Sequence, residues 1–163
     1  MSCERVLPQA LPAGDRVQES FHLHLDPAPR RVEAARAFVA EHAPPLPSAT
    51  HDALLLLTSE LVTNAVLHAR TPLEVGIAVA EQSVLVTVFD LDLDLTWATQ
   101  QPYARREGGW GLGLVAALAE ASDLEPHADG GKTAWFRLPR GELPTVNDAV
   151  AARPEPSRRK ATS

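Results

Sequence analysis

Cysteine is almost missing from this chain: Cys3 is the only one in 163 residues, which excludes an internal disulfide and a zinc site built from several thiolates. With no apolar segment before it, Cys3 does not read as a lipid-attachment cysteine, and a loose thiol on a mobile end is the simplest account. Long hydrophobic runs are equally scarce. The longest purely aliphatic one, Ala53 to Leu57, falls far short of the roughly 20 apolar residues that span a bilayer. Met1 to Gly14 carries prolines and Glu4 where a secretory signal needs an apolar stretch. A cytoplasmic protein without a membrane segment is therefore expected. Positive charge is not in excess either: the formal net charge is -6, which leaves no basic footprint and argues against nucleic acid as a partner. No internal repeat is present.

What is there is the composition of a soluble globular protein, 45% hydrophobic and 22% charged, at a length that suits one domain. Residues 1–18 contain proline, glutamine and glycine without a period, and residues 141–163 drift into Pro-Glu-Pro-Ser-Arg-Arg-Lys, so both ends are expected to be disordered. The arginines and lysine of that tail read as a solvated run. The folded part is 19–140. Phe21, Leu23 and Leu25 alternate with Ser20, His22 and His24 as in a strand, and Asp-Pro-Ala-Pro then opens a helix with Val32, Ala35, Phe38 and Val39 on one side.

A second helix is expected from about Ser48 to Ala69, aliphatic nearly all the way round and hence central and buried. Two alternating segments, Leu73 to Ala80 and Val84 to Leu91, are separated by Glu-Gln-Ser and should pair antiparallel. Asp92 to Gly108 has little regular pattern, and a loop of that length inside a small domain is usually functional or mobile. A helix from Trp110 to Ala121, a strand from Asp123 to His127, an Asp-Gly-Gly turn and a last strand from Thr133 to Leu138 complete the reading.

Three segments carry chemistry: Glu-Leu-Val-Thr-Asn-Ala-Val-Leu-His-Ala from Glu60, Gly-Gly-Trp-Gly-Leu-Gly-Leu-Val from Gly108, and Gly-Gly-Lys-Thr-Ala-Trp-Phe from Gly130. Glu60, Asn64 and His68 fall at successive i+4 positions and form one helical stripe among leucines. Buried without partners, a carboxylate and an amide cost several kcal/mol, so a cation, an arginine, a carbonyl or a wet cavity has to meet them. A bound metal with its phosphates satisfies both groups, as does an ordinary arginine pair with a back-bonded amide. The helix alone leaves the choice open.

Gly108, Gly109, Gly111 and Gly113 precede an apolar helix, an arrangement that lets backbone N–H groups close on an anion. It is not the dinucleotide fingerprint, whose third glycine would stand where Leu114 is. Gly131-Lys132-Thr133 matches the end of a P-loop, but the required upstream glycine is Pro126 and a strand follows instead of a helix. A hairpin turn with Lys132 in solvent is the plainer reading. Asp90, Asp92 and Asp94 share a face of an extended segment, yet a calcium loop fails at Leu95 and Gln101, which leaves Asp92 and Asp94 as solvated loop acids. His22 and His24 read as outward strand residues.

With Glu60, Asn64, Asp90, the Gly109 to Leu114 run and Thr133 in this order, the chain resembles the ATPase superfamily of gyrase, histidine kinases and Hsp90 chaperones over about Phe21 to Leu138. More closely it is similar to small single-domain anti-sigma-factor serine kinases. The resemblance implies an α+β fold, a two-layer α/β sandwich in which helices cover one face of a mixed, mostly antiparallel sheet. It implies ATP with Mg2+ as the ligand. Glu60 stands where the family has its general base, Asn64 where an asparagine coordinates the magnesium ion, and Asp90 where an aspartate binds the adenine amino group. Thr133 matches the threonine supporting that contact. Gly109, Gly111, Leu112 and Gly113 match the box closing over the phosphates, with 92–108 as a lid in which Arg105 or Arg106 meets the γ-phosphate.

One departure stands out: many relatives have glycines where this chain has Asp92 and Asp94, and two carboxylates there repel a polyphosphate unless they point away. Two functions follow from the resemblance. The first is a serine/threonine protein kinase that phosphorylates an anti-anti-sigma factor and sequesters a sigma factor. The second is a binding module of the same fold that transfers nothing; the aligned Glu60 and Asn64 favour the first, Asp92 and Asp94 the second. A sensor histidine kinase fits poorly, since no dimerising helix with a phosphoacceptor histidine precedes the domain. Homodimer formation stays open.

Overall fold

Alternating side chains build a five-stranded sheet from β1 (Val17–Leu25), β2 (Leu73–Ala80), β3 (Ser83–Asp90), β4 (Ala121–Pro126) and β5 (Lys132–Pro139). The computed structural model describes residues 7, 9–26, 28, 30–68, 70–92, 115 and 117–143. The strand order is β1-β2-β3-β5-β4, and each of these pairings is antiparallel, so the mixed sheet expected from the sequence is antiparallel throughout its described part. Glu81 and Gln82 alone join β2 to β3, as a tight hairpin requires.

Two helices lie on one face. α1 (Arg31–His42) buries Ala35 and Val39, places Glu33 in its first turn and His42 in its last, and ends where Ala43 goes extended. Pro44 follows, and a residue before proline is pushed out of the helical region. α2 (Ser48–His68) buries Ala53, Leu54, Leu57, Leu61, Val62 and Ala65. Those side chains meet Val75, Ile77, Val84, Val86, Val88, Phe136 and Leu138 from the sheet in one core. Burying a leucine of this kind contributes about 1.5–3 kcal/mol. Thr58, also fully buried, returns its hydroxyl to the Leu54 carbonyl at 2.7 Å, so no donor is left unmet. The expectation that α2 is buried nearly all the way round is corrected: Leu56 and Leu67 are exposed.

The opposite face of the sheet is covered too. Ala10 is fully buried with Ala78, Leu85 and Trp135, and Leu7 and Leu11 pack beside it. Arg137 donates to the Ala10 carbonyl, while Asp15 accepts from the Gln82 backbone N–H at 2.9 Å and from the Ser83 hydroxyl. This second cover accounts for the burial of Ala78 on the far face of β2, a strand whose eight residues are all buried, including the charged Glu74. The expected disorder of residues 1–18 is corrected for the part described: an arm around Leu7–Leu11 packs on the sheet, and β1 starts at Val17. At the other end, Thr50 donates to the Gly141 carbonyl at 2.8 Å and Leu143 packs on the main core; positions beyond 143 lie outside the described residues.

The arm makes a measurable difference between an attached and a loose N-terminus. Placing a charge at the fully buried Ala10 with Ala10→Arg is expected to lower unfolding free energy by about 2 kcal/mol or more. Urea denaturation checks it, and a change within about 0.5 kcal/mol, the usual range for a surface site, would mean that the arm does not pack.

Candidate functional site

The end of β3 and the start of β5 form the site. Val84, Val86 and Val88 point to the helices, and strand alternation turns Asp90 to the same side. On β5 the helix-facing residues are Ala134, Phe136 and Leu138, so Lys132 shares their face. The register sets Asp90 directly opposite Lys132 and Phe89 opposite Thr133. Lys132 is 2% exposed. Its ammonium donates to Asp90 Oδ1 at 3.1 Å, to the Asp92 carbonyl at 3.0 Å and to Asp92 Oδ2 at 3.1 Å. Three N–H bonds thus meet three oxygen acceptors, as a buried ammonium demands.

Two sequence expectations are corrected here. Lys132 is not in solvent, and Asp92 is not a free loop acid: its carboxylate is turned onto Lys132. The repulsion anticipated between Asp92 and a polyphosphate is accordingly offset by a cation in contact with it. Thr133 is also displaced from its expected role. One residue along a strand reverses the face, so its hydroxyl is paired with His127 Nε2 at 2.7 Å on the other side of the sheet, where His127 stacks obliquely near Phe89. Lys132 holds the position beside Asp90 that was expected of Thr133. The sequence did contain the signal: Lys132 is in phase with Ala134, Phe136 and Leu138.

Asp90 has two oxygens in different situations. Oδ1 accepts from Lys132 and from the Asp92 backbone N–H at 2.9 Å; among the described residues nothing donates to Oδ2, although the side chain is only 6% exposed. Burial pushes the Asp90 carboxyl above its ordinary value, outweighing the downward pull of Lys132 and of the Asp92 N–H. The turn before β5 is shaped to allow this approach. Gly131 has a φ of 81°, and a Cβ there would stand 2.4 Å from the Asp90 carbonyl oxygen and 2.8 Å from the Phe89 ring. Leu91, next in the chain, donates its N–H to the Thr71 hydroxyl at 3.1 Å, which ties the end of β3 to the entrance of β2.

Glu60 and Asn64 occupy one flank of α2. The other flank is covered by α1, where Arg36 donates to Ser59 at 3.2 Å. On a helix of 3.6 residues per turn, Glu60 and Asn64 lie about 100° and 140° round from Ser59. Both are half-buried, and among the described residues neither side chain makes a hydrogen bond or ion pair, so the arginine pair and the back-bonded amide are not found there. Exposed Leu56 and Leu67 share this flank. α2 packs on β3 and β5, the strands that carry Asp90 and Lys132.

Arg105, Gly109, Gly111, Leu112, Gly113, Arg106 and Asp94 lie outside the described residues. Of the expected helix from Trp110 to Ala121, Val115, Ala117 and Leu118 are helical, and β4 already begins at Ala121. His22 and His24 do not simply face water. They flank the buried Glu74 at 3.5 and 3.6 Å, yet no cluster of three metal-ligating side chains occurs among the described residues. No described helix is long and apolar enough to cross a membrane.

The chain's family bears on what fills this site. The family model for the histidine kinase-like ATPase domain matches residues 25–138, and the chain belongs to that family. No curated protein matches it. Membership implies ATP as the ligand, and the residues present fit a purine nucleotide: among the described residues nothing donates to the nearly buried Asp90 Oδ2, and Glu60 and Asn64 on the flank of α2 have no side-chain partner.

Two outcomes test this geometry. Gly131→Ala is expected to destabilise by at least about 2 kcal/mol in thermal or urea unfolding, since the left-handed φ and the contact with the Asp90 backbone both oppose a Cβ. The raised Asp90 carboxyl predicts a pH dependence. Its stabilising contribution is full below the ordinary value of 3.8 and is lost as pH rises through the folded value. Urea titrations across weakly acidic pH should therefore show native stability falling relative to that of Asp90→Asn; parallel curves would contradict it.

Proposed function

We propose that this ATPase-family domain is an ATP- and Mg2+-dependent serine/threonine protein kinase acting as an anti-sigma factor, with an anti-anti-sigma factor as its phosphoacceptor and a sigma factor as the regulated partner. The observation that carries the reading is that, among the described residues, Asp90 Oδ2 has no donor and Glu60 and Asn64 on the helix packed against β3 and β5 have no partner. Asp90 Oδ2 accepts from the adenine amino group. Asn64 is the residue to hold a magnesium ion, which supplies charge neutralisation on the phosphates when bound. Glu60 accepts the proton of the partner's serine hydroxyl as general base. The Gly109, Gly111, Leu112 and Gly113 box and Arg105 complete the phosphate side of this proposal. The absence of a described membrane helix accords with cytoplasmic work on a soluble partner.

The alternative of a binding module without transfer drew its support from Asp92 and Asp94. With the Asp92 carboxylate on Lys132, half of that support is gone, and pure binding would not need an aligned base at Glu60. Calorimetry with ATP, with and without Mg2+, on the native chain and on Asn64→Ala is the test. Magnesium-dependent binding in the native protein, weakened about tenfold or more in the variant, supports the reading. No binding by the native protein would overturn it, while magnesium-dependent binding with no phosphate transfer to any serine partner would leave the binding module.

A further inference from the structure

We propose that Lys132 is a positioning residue for base recognition: its ammonium, held by Asp90 Oδ1 and by the carbonyl and carboxylate of Asp92, fixes the Asp90 carboxylate with Oδ2 as the remaining acceptor for an exocyclic amino group. The inference rests on the reading of Asp90 as the base-binding residue and adds a second residue to it, one that never touches the nucleotide. Lys132 has three N–H donors, and the three protein acceptors at 3.0–3.1 Å use them. It is thus not a cation waiting for a phosphate.

Its action falls on Asp90. Oδ1 receives both Lys132 and the Asp92 backbone N–H, so the carboxylate cannot rotate without breaking two bonds, and Oδ2 is the acceptor left over among the described residues. A carboxylate in that state accepts from a 6-amino purine and opposes a 6-oxo purine, whose carbonyl brings a second lone pair. A protonated carboxyl reverses the match, because it donates. Burial favours the protonated form and Lys132 opposes it. The other groups facing Asp90 do not replace that cation. Leu73 stands opposite on β2 and is neutral, Asp92 is itself an anion, and no charged group of α2 acts on Asp90 among the described residues. Lys132 therefore determines which hydrogen-bonding pattern the buried end of the site presents.

The test measures dissociation constants of ATP and of inosine triphosphate, at fixed Mg2+, between pH 5.5 and 8 for the native chain, Lys132→Met and Lys132→Gln. The carboxyl carbon of Asp90 is followed in parallel by NMR without nucleotide. The native protein is expected to prefer ATP by about ten- to a hundredfold, the effect of one hydrogen bond to a charged group, with a ratio that depends less on pH than in either variant. In Lys132→Met the ratio should fall by about tenfold or more, most at low pH, with the Asp90 titration moved to higher pH. Lys132→Gln keeps a donor and much of the volume but not the charge; it should show the same pH-dependent loss, and it serves if the Met variant does not fold. A native ATP preference that survives unchanged in a folded variant overturns the role of Lys132 alone. A native protein that binds neither nucleotide overturns the assignment of the site, and this inference with it.

Discussion

A lysine ammonium withdrawn from water between two aspartates sets the terms for this end of the molecule. Desolvating such a group costs several kcal/mol, and only close, fully matched acceptors offset that. Asp90, Asp92 and the Asp92 carbonyl provide them, and the neighbouring features follow from the need to bring them together. β5 must enter the sheet with Lys132 opposite Asp90, and the chain must double back close enough that only a glycine fits at 131. The strand after the turn has to keep its phase so that Lys132, Ala134, Phe136 and Leu138 face α2. The two aspartates and the lysine leave a buried cluster in an ATPase-family fold, with Asp90 Oδ2 without a donor among the described residues.

The rest of the site is built by the opposite device. Along α2 the leucines and alanines that face the sheet hold the helix in place, and α1 closes one flank through Arg36 and Ser59. The remaining flank carries Glu60 and Asn64 without partners among the described residues, beside Leu56 and Leu67. Glu60 and Asn64, at i and i+4 and half-buried, are the groups of α2 that the proposed ligand would meet. Rigid packing on one side and unmet polarity on the other are the ordinary conditions for a binding surface.

Much of the architecture was legible from local pattern. β2 was read to the residue, and the two helices and the other strands to within two or three positions, because period 2 and period 3.6 are imposed by backbone geometry and survive any tertiary context. The proline pair after α1 and the glycines before β5 were also readable, each through a backbone restriction belonging to its residue type. Misreadings fell where two distant segments meet. The arm at Ala10 has too few residues to show a period, and it is ordered only because Ala78, Leu85 and Trp135 offer it a surface. Lys132 was expected in solvent and Thr133 beside Asp90 because a motif was followed in place of strand phase.

The amino-acid sequence by itself determined the elements, the family, and the presence of Glu60, Asn64 and Asp90 in chain order, since these depend on residue types and on short spacings. Only the tertiary structure decided that Lys132 is an interior cation and Asp92 its counter-ion, and that Thr133 belongs to the other face. The physical reason is that a charge has no fixed meaning along the chain. A lysine after two glycines is a solvated turn residue or a buried anchor according to whether acceptors lie within about 3 Å, and Asp90 and Asp92 are brought there by a strand pairing across some 40 positions.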